Sequence, residues 1–264
     1  MNYFAHGVAF LDRPYLMAGT AVPDWLVVAD RQLRVRPRHV EAWQNQFCPS
    51  APTAEEPIGQ VAQGILQHLA DDQRFHRTEA FLDLSFRLSQ QAAEILDGQK
   101  AVHLPAASIP EKDGASDGML SVAATPSHSL GFSSAFVGHL LLEVLLDAAL
   151  IEEKPARLDQ YYQSLEQVDA QLVQEAVNRM APRCTTRLAP MIVEFRQLRV
   201  LWDYLEDRKL LFRLNQVMRR VGLAPLPETF LELLPTARQE VASGKHLLLE
   251  GIPTHCNPFP LEKI

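Results

Sequence analysis

The sequence predicts an all-α protein built as a single helical domain with a long mid-chain loop. Three observations carry this. Apolar residues recur at helical spacing over most of the chain, no stretch alternates with the period of two that a half-buried strand requires, and no internal repeat divides the chain. With 264 residues, 47% of them hydrophobic and 22% charged, the chain can bury a sizeable core and has an ordinary globular composition. The expected organisation is a helical core over residues 1–150, interrupted by a loop insertion over 97–127. Further helices over 151–264 pack on the same domain.

Residues 2–11 mix aromatic and small apolar side chains around His6, and Asp12, Arg13 and Pro14 punctuate the end. Residues 15–28 are apolar except for Thr20 and Asp24. Asp24 follows Pro23, which suits the first turn of a helix, so it reads either as a cap or as a metal ligand. The basic run Arg31, Arg34, Arg36 and Arg38, ending near His39, reads first as a solvated face or a set of carboxylate partners. Its second reading is recognition of an anionic substrate, because the guanidinium fork matches phosphate. Residues 45–57 read as a loop, and 58–96 as two helices broken between His76 and Glu79. Residues 97–126 contain three prolines and three glycines with little periodicity. Loops this long are often functional, and His128, just after it, is positioned to enter a site.

Residues 132–151 are apolar enough to raise the question of a membrane span. Ser133, Ser134, His139, Glu143 and Asp147 would make insertion expensive, so no membrane span is expected and the stretch reads as a buried helix. Helices are expected over 157–180, 190–221 and 227–249. The middle one, with apolar and charged faces at helical spacing, reads as packing or oligomer contact rather than chemistry.

The chemistry-bearing stretch is 64–76, GILQHLADDQRFH, which carries His68, Asp72 and His76 at i, i+4 and i+8. Four residues of α-helix advance about 400°, so successive members lie roughly 40° apart around the axis and about 6 Å along it. All three project from one face. Residues 138–147, GHLLLEVLLD, repeat the arrangement with His139, Glu143 and Asp147. Such pairs also arise as surface i,i+4 contacts, an account that suits Asp71 and Glu79. It suits Glu143 poorly, because a carboxylate in a helix apolar almost all round needs a charge partner or a metal. Two such helices facing each other would enclose a metal site.

A mixed imidazole and carboxylate set favours Zn, Mn or Fe over Ca or Mg. The Glu-x-x-His spacing of a di-iron bundle is missing from both helices, and no glycine-rich phosphate loop, GxSxG elbow or HExxH occurs. A net charge of −7 argues against nucleic acid as the primary partner. Cys48, Cys184 and Cys256 are far apart, which suggests a reducing cytoplasm. The opening residues lack a basic n-region and a cleavage signal, so they read as mature sequence.

Taken together, MNYFAH, AGTAVPDWL and GILQHLADDQRFH resemble the acyl-carrier-protein phosphodiesterase family. That family has a similar MN-x-x-AH opening, a small-residue run ending in Asp, and a Gly-Ile…His-x3-Asp block. Its members are all-α, metal-dependent and related to HD-type phosphohydrolases, and they release phosphopantetheine from acyl carrier protein. The resemblance implies that His6, Asp24, His68 and Asp72 are metal-site residues. His139-x3-Glu143, with His128 upstream, resembles the zinc-dependent phospholipase C pattern. The two resemblances span about residues 1–150 and imply HD-like or phospholipase-C-like helix packing. His76 stands where the first family has an acid, and 97–126 looks like an insertion.

The implied function is metal-dependent hydrolysis of a phosphodiester, either a small molecule or a carrier-protein-bound one. His6, Asp24, His68, Asp72, His139 and Glu143 would hold one or more divalent ions (Mn, Zn or Fe) that activate water for attack on phosphorus. The catalytic set would be Asp24, Asp72, His76 and His128, with His76 or His128 a further ligand or general acid. Arg34, Arg36 or Lys100 would meet the substrate phosphate. The alternatives are a zinc-dependent phospholipase C-like phosphodiesterase and a noncatalytic helical metal-binding protein. The leaving group and the oligomeric state are not legible in the sequence.

Overall fold

The computed structural model describes residues 1–47, 56–103 and 127–250. Among these residues every regular element is helical, as the periodicity requires. The α-helices are α1 (Tyr3–Gly7), α2 (Pro14–Ala29), α3 (Pro37–Phe47), α4 (Pro57–Phe75), α5 (Glu79–His103) and α6 (Ser127–Glu153). They continue with α7 (Pro155–Glu166), α8 (Ala170–Met180), α9 (Leu188–Leu198), α10 (Asp207–Arg220) and α11 (Leu234–Glu250). Pro14, Pro37, Pro57 and Pro155 each open a helix, where the missing N–H would be unpaired anyway. The Asp169 carboxylate caps α8 by accepting from the backbone N–H groups of Gln171 and Leu172.

Two close crossings set the architecture. A Cβ on Gly64 would lie 2.2 Å from the Leu16 carbonyl oxygen, and one on Gly19 would lie 2.5 Å from that of Val61. The backbones of α2 and α4 therefore touch, and no side chain fits between them. At the second crossing a Cβ on Gly138 would lie 2.2 Å from Ser89 Oγ, which seats α6 directly on α5. Gly64 stands about one helical turn before His68 and Gly138 directly before His139, so the crossings also place these two histidines. A single apolar cluster fills the interior, running from Phe4 and Trp25 through Leu145 and Tyr161 to Phe195, Phe230 and Val241.

Helix α6 is long and apolar enough over Ser134–Glu153 to cross a membrane by length and composition, but 72% of its most apolar window is buried inside the fold. Its Leu141, Leu142, Leu145 and Leu146 are buried in the interior.

Several boundaries differ from the sequence reading. Helix α3 continues through Phe47 and α5 through His103, past the points where periodicity fades. The rest of the expected mid-chain loop, 104–126, lies outside the described residues. Ser127 opens α6 rather than closing a loop before it, and the side chains of His128 and Lys100 are outside the described residues. Helix α2 starts at Pro14, so Pro23 lies inside it and Asp24 is mid-helix rather than a cap. The expected helix over 157–180 is two helices, parted just before Asp169.

The expected helix over 190–221 breaks at Arg199, which adopts a left-handed φ of 46°. Its amphipathic pattern carries no stop signal, and tertiary contacts impose one. The Tyr162 hydroxyl accepts from Leu201 N–H at 3.0 Å, while the Arg199 guanidinium sits on the Tyr162 ring and donates to Asp159 at 2.7 Å. These contacts offset the roughly 1–2 kcal/mol that a left-handed non-glycine residue costs.

Candidate metal centre

Helices α1, α4 and α6 converge on two adjacent groups of ligand-type side chains. The first is His6, His68 and Asp72, and the second is His76, His139 and Glu143. Within each group the ligand-type atoms lie within 4.8 Å of one another.

In the first group His6 Nε2 stands 3.3 Å from Asp72 Oδ1 and His68 Nε2 stands 3.6 Å from Asp72 Oδ2. The two imidazoles lie against each other, tilted by 31°, with centroids 4.0 Å apart. His68 Nδ1 is 2.7 Å from the Thr20 carbonyl oxygen. A carbonyl only accepts, so this nitrogen carries the proton. Burial, and then neighbouring His6, push the His68 pKa down to about 3, so the ring is neutral and Nε2 is unprotonated. A nitrogen lone pair therefore faces an ionised carboxylate oxygen, a repulsive arrangement that a cation between them would reverse. His6 is fully buried, and neither of its ring nitrogens makes a hydrogen bond, because the approach of Nε2 to Asp72 is close but misdirected. Buried polar nitrogens of this kind are normally satisfied. The residues fit a metal, with the Thr20 carbonyl orienting His68 as outer partners of ligating histidines do.

In the second group Glu143 Oε1 is 3.0 Å from His76 Nε2 and 3.3 Å from His139 Nε2. The rings of His76 and His139 are 4.8 Å apart, and Phe81 packs edge-on against both. His76 caps the C-terminus of α4. The expected single face of His68, Asp72 and His76 is thus divided. Its first two members join His6, and its last joins α6.

The α-amino nitrogen of Met1 links the groups, lying 3.0 Å from both Asp72 Oδ1 and Glu143 Oε1. Burial disfavours its charge, but Glu143 and Asp72 outweigh that and raise its pKa to about 10. Burial likewise works against ionisation of both carboxylates. His6 and the amine more than offset it at Asp72, as the amine and two imidazoles do at Glu143. Both acids are held well below the usual carboxylate range.

Asp147 turns away from the groups. It accepts the backbone N–H of Phe4 at 2.9 Å and of Ala5 at 2.8 Å, satisfying the first turn of α1 and thereby fixing His6. Burial dominates its titration and, against those two donors, raises its pKa to about 7. Asp71, which reads as surface decoration, is fully buried and engages Gln67 at 2.8 Å. Asp24 belongs to neither group. Its Oδ2 is buried without a partner, and burial, then Asp72 and Glu143, lift its pKa well above the carboxylate range, so it is held neutral.

A cavity of about 360 Å³ opens beside Glu143, His139 and Asp24, and Arg31, Arg34, Arg213 and Arg220 also line it. Arg31 and Arg34 belong to the basic run of the sequence. Arg213 and Arg220 come from α10, which reads as a packing helix, and only its contact with the cavity signals them. Arg36 and Arg38 lie elsewhere, against His39. No family model matches the chain, and no curated protein or solved structure is significantly similar to it.

Proposed function

We propose that the protein is a metal-dependent phosphodiester hydrolase, with one divalent ion (Zn, Mn or Fe) at His6, His68 and Asp72 and a second at His76, His139 and Glu143. The observation that supports it most is the neutral His68 imidazole, whose Thr20 hydrogen bond leaves a lone pair directed at ionised Asp72. When bound, such ions supply Lewis-acid stabilisation of the phosphoryl charge and make water nucleophilic near neutral pH. The chain's own residues then divide the work. The two triads fix the centre, and the Asp147 bonds to α1 hold His6 in place. Asp24, neutral in the cavity wall, is the proton donor to the leaving oxygen in this reading.

The motif residues 1–6, 18–26 and 64–76 make a carrier-protein phosphodiester one substrate class to assay, and His139-x3-Glu143 makes a phospholipase C-type diester another. A second reading, a noncatalytic helical protein, has its own observation. The Met1 ammonium already stands between Asp72 and Glu143, as a structural cation would.

Elemental analysis of the purified protein beside the His68→Ala/Asp72→Ala variant separates the readings. Stoichiometric Zn, Mn or Fe that is lost in the variant, with metal-dependent hydrolysis of bis(p-nitrophenyl) phosphate, supports the hydrolase. Failure to take up metal on titration leaves the structural reading.

A further inference from the structure

We propose that the cavity beside the metal centre selects an elongated organic phosphate, with an apolar body and a second anionic group at its far end. The phosphate end of this proposal rests on the metal-centre reading; the rest comes from the cavity itself. The polar part of its lining includes Glu143, only 16% exposed, and Asp24, whose Oδ2 is buried. The walls are apolar, formed among others by Val27, Phe136, Leu140, Val144, Leu214 and Val217. Water gains little against such walls, whereas a hydrocarbon body would release it. At about 360 Å³ the space is at the lower end of small-molecule sites, too small for a folded carrier protein but ample for an eight-carbon chain.

The solvent end is cationic. Arg34 and Arg220 are exposed on the rim, and among the described residues neither guanidinium has an acidic partner, unlike Arg213, which pairs with Asp203 at 2.7 Å. Arg31 donates to the Arg220 carbonyl at 2.6 Å, tying the end of α10 to the segment after α2 and holding the rim together. Arg220 and Tyr3 line the same cavity. In a chain of net charge −7, free guanidiniums at the open end of an apolar cavity point to an anion on the ligand.

The test compares inorganic phosphate, octyl phosphate and 1,8-octanediol bisphosphate by titration calorimetry on Zn- or Mn-loaded protein whose metal content is measured. Octyl phosphate should bind at least about tenfold more tightly than inorganic phosphate, since each buried methylene is worth roughly fourfold. The bisphosphate should bind about tenfold more tightly again, the scale of a charge-assisted contact. That last gain should collapse in Arg34→Ala/Arg220→Ala. Metal uptake with octyl phosphate no tighter than phosphate overturns the cavity proposal and leaves the metal centre standing. A bisphosphate gain that is absent, or that persists in the double variant, overturns the anionic far end. Failure to take up metal overturns the hydrolase reading and the phosphate end together.

Discussion

His68 donates its Nδ1 proton to the Thr20 carbonyl across 2.7 Å, and this one bond joins the helix crossing to the chemistry. The donor comes one turn after Gly64 and the acceptor one residue after Gly19, the two glycines whose backbones meet. A helix pair any wider would lose the bond, free the imidazole to rotate, and blur which nitrogen faces Asp72.

Gly64→Ala tests that link. The new methyl would sit 2.2 Å from the Leu16 carbonyl oxygen, where rigid backbone cannot yield locally. The expected cost is about 2–3 kcal/mol, or a fall in Tm of roughly 5–10 °C for a chain this size. Metal affinity should drop at least about tenfold with it. Calorimetry and metal titration on the same variant read both, and an unchanged metal affinity would break the link.

Two groups predict two stoichiometries. His6→Ala should remove the ion held with His68 and Asp72, and His76→Ala the ion held with His139 and Glu143. Each variant should bind one equivalent fewer than the parent with its circular dichroism intact. Loss of all metal in both variants would mean one shared centre instead.

Asp147 predicts a pH slope in the metal-free protein. Its pKa is near 7 in the fold against 3.8 for the free side chain. Between those values the folded state holds a proton that the unfolded state releases, so stability falls as pH rises from about 4 to 7, by up to roughly 4 kcal/mol. Below about pH 4 that contribution is fully present. Asp72 and Glu143 run the other way, since their depressed pKa values stabilise the fold above about pH 4 and that stability is lost on acidification. Urea midpoints measured from pH 4 to 8 should therefore show the gap between parent and Asp147→Asn closing as pH rises. A constant gap refutes the assignment.

Truncating Asp147 further, to Ala, strands the amides of Phe4 and Ala5. The expected loss is about 2–4 kcal/mol, from two buried N–H groups left without acceptors. Helicity should survive while metal content falls, because only α1 and His6 are released. Metal content equal to the parent's would show that α1 is fixed by packing alone.

Asp24→Asn should leave stability unchanged or slightly raised, since the native carboxyl is already neutral and buried. If Asp24 donates the proton to the leaving oxygen, turnover of a poor leaving group should fall about 10²-fold or more while an activated p-nitrophenyl ester is spared. Equal loss on both would remove Asp24 from that role.

The sequence by itself determined the helices and the ligand-type residues. Spacing of 3.6 marks a helix without reference to anything else, and His68/Asp72 and His139/Glu143 are each close because one turn of their own helix makes them so. It also exposed Glu143 as a misfit in an apolar helix. Tertiary structure decided everything that crosses between elements. It sent His76 to α6 instead of to His68, turned Asp147 onto the amides of α1, buried Asp71, and stopped a helix at Arg199. It also brought Arg213 and Arg220 round to the cavity. None of these has a local periodicity to betray it. The Gly19–Gly64 and Gly138–Ser89 crossings fix how closely the backbones that carry His68, His76 and His139 approach, whereas the stop at Arg199 follows from its contacts with Tyr162 and Asp159.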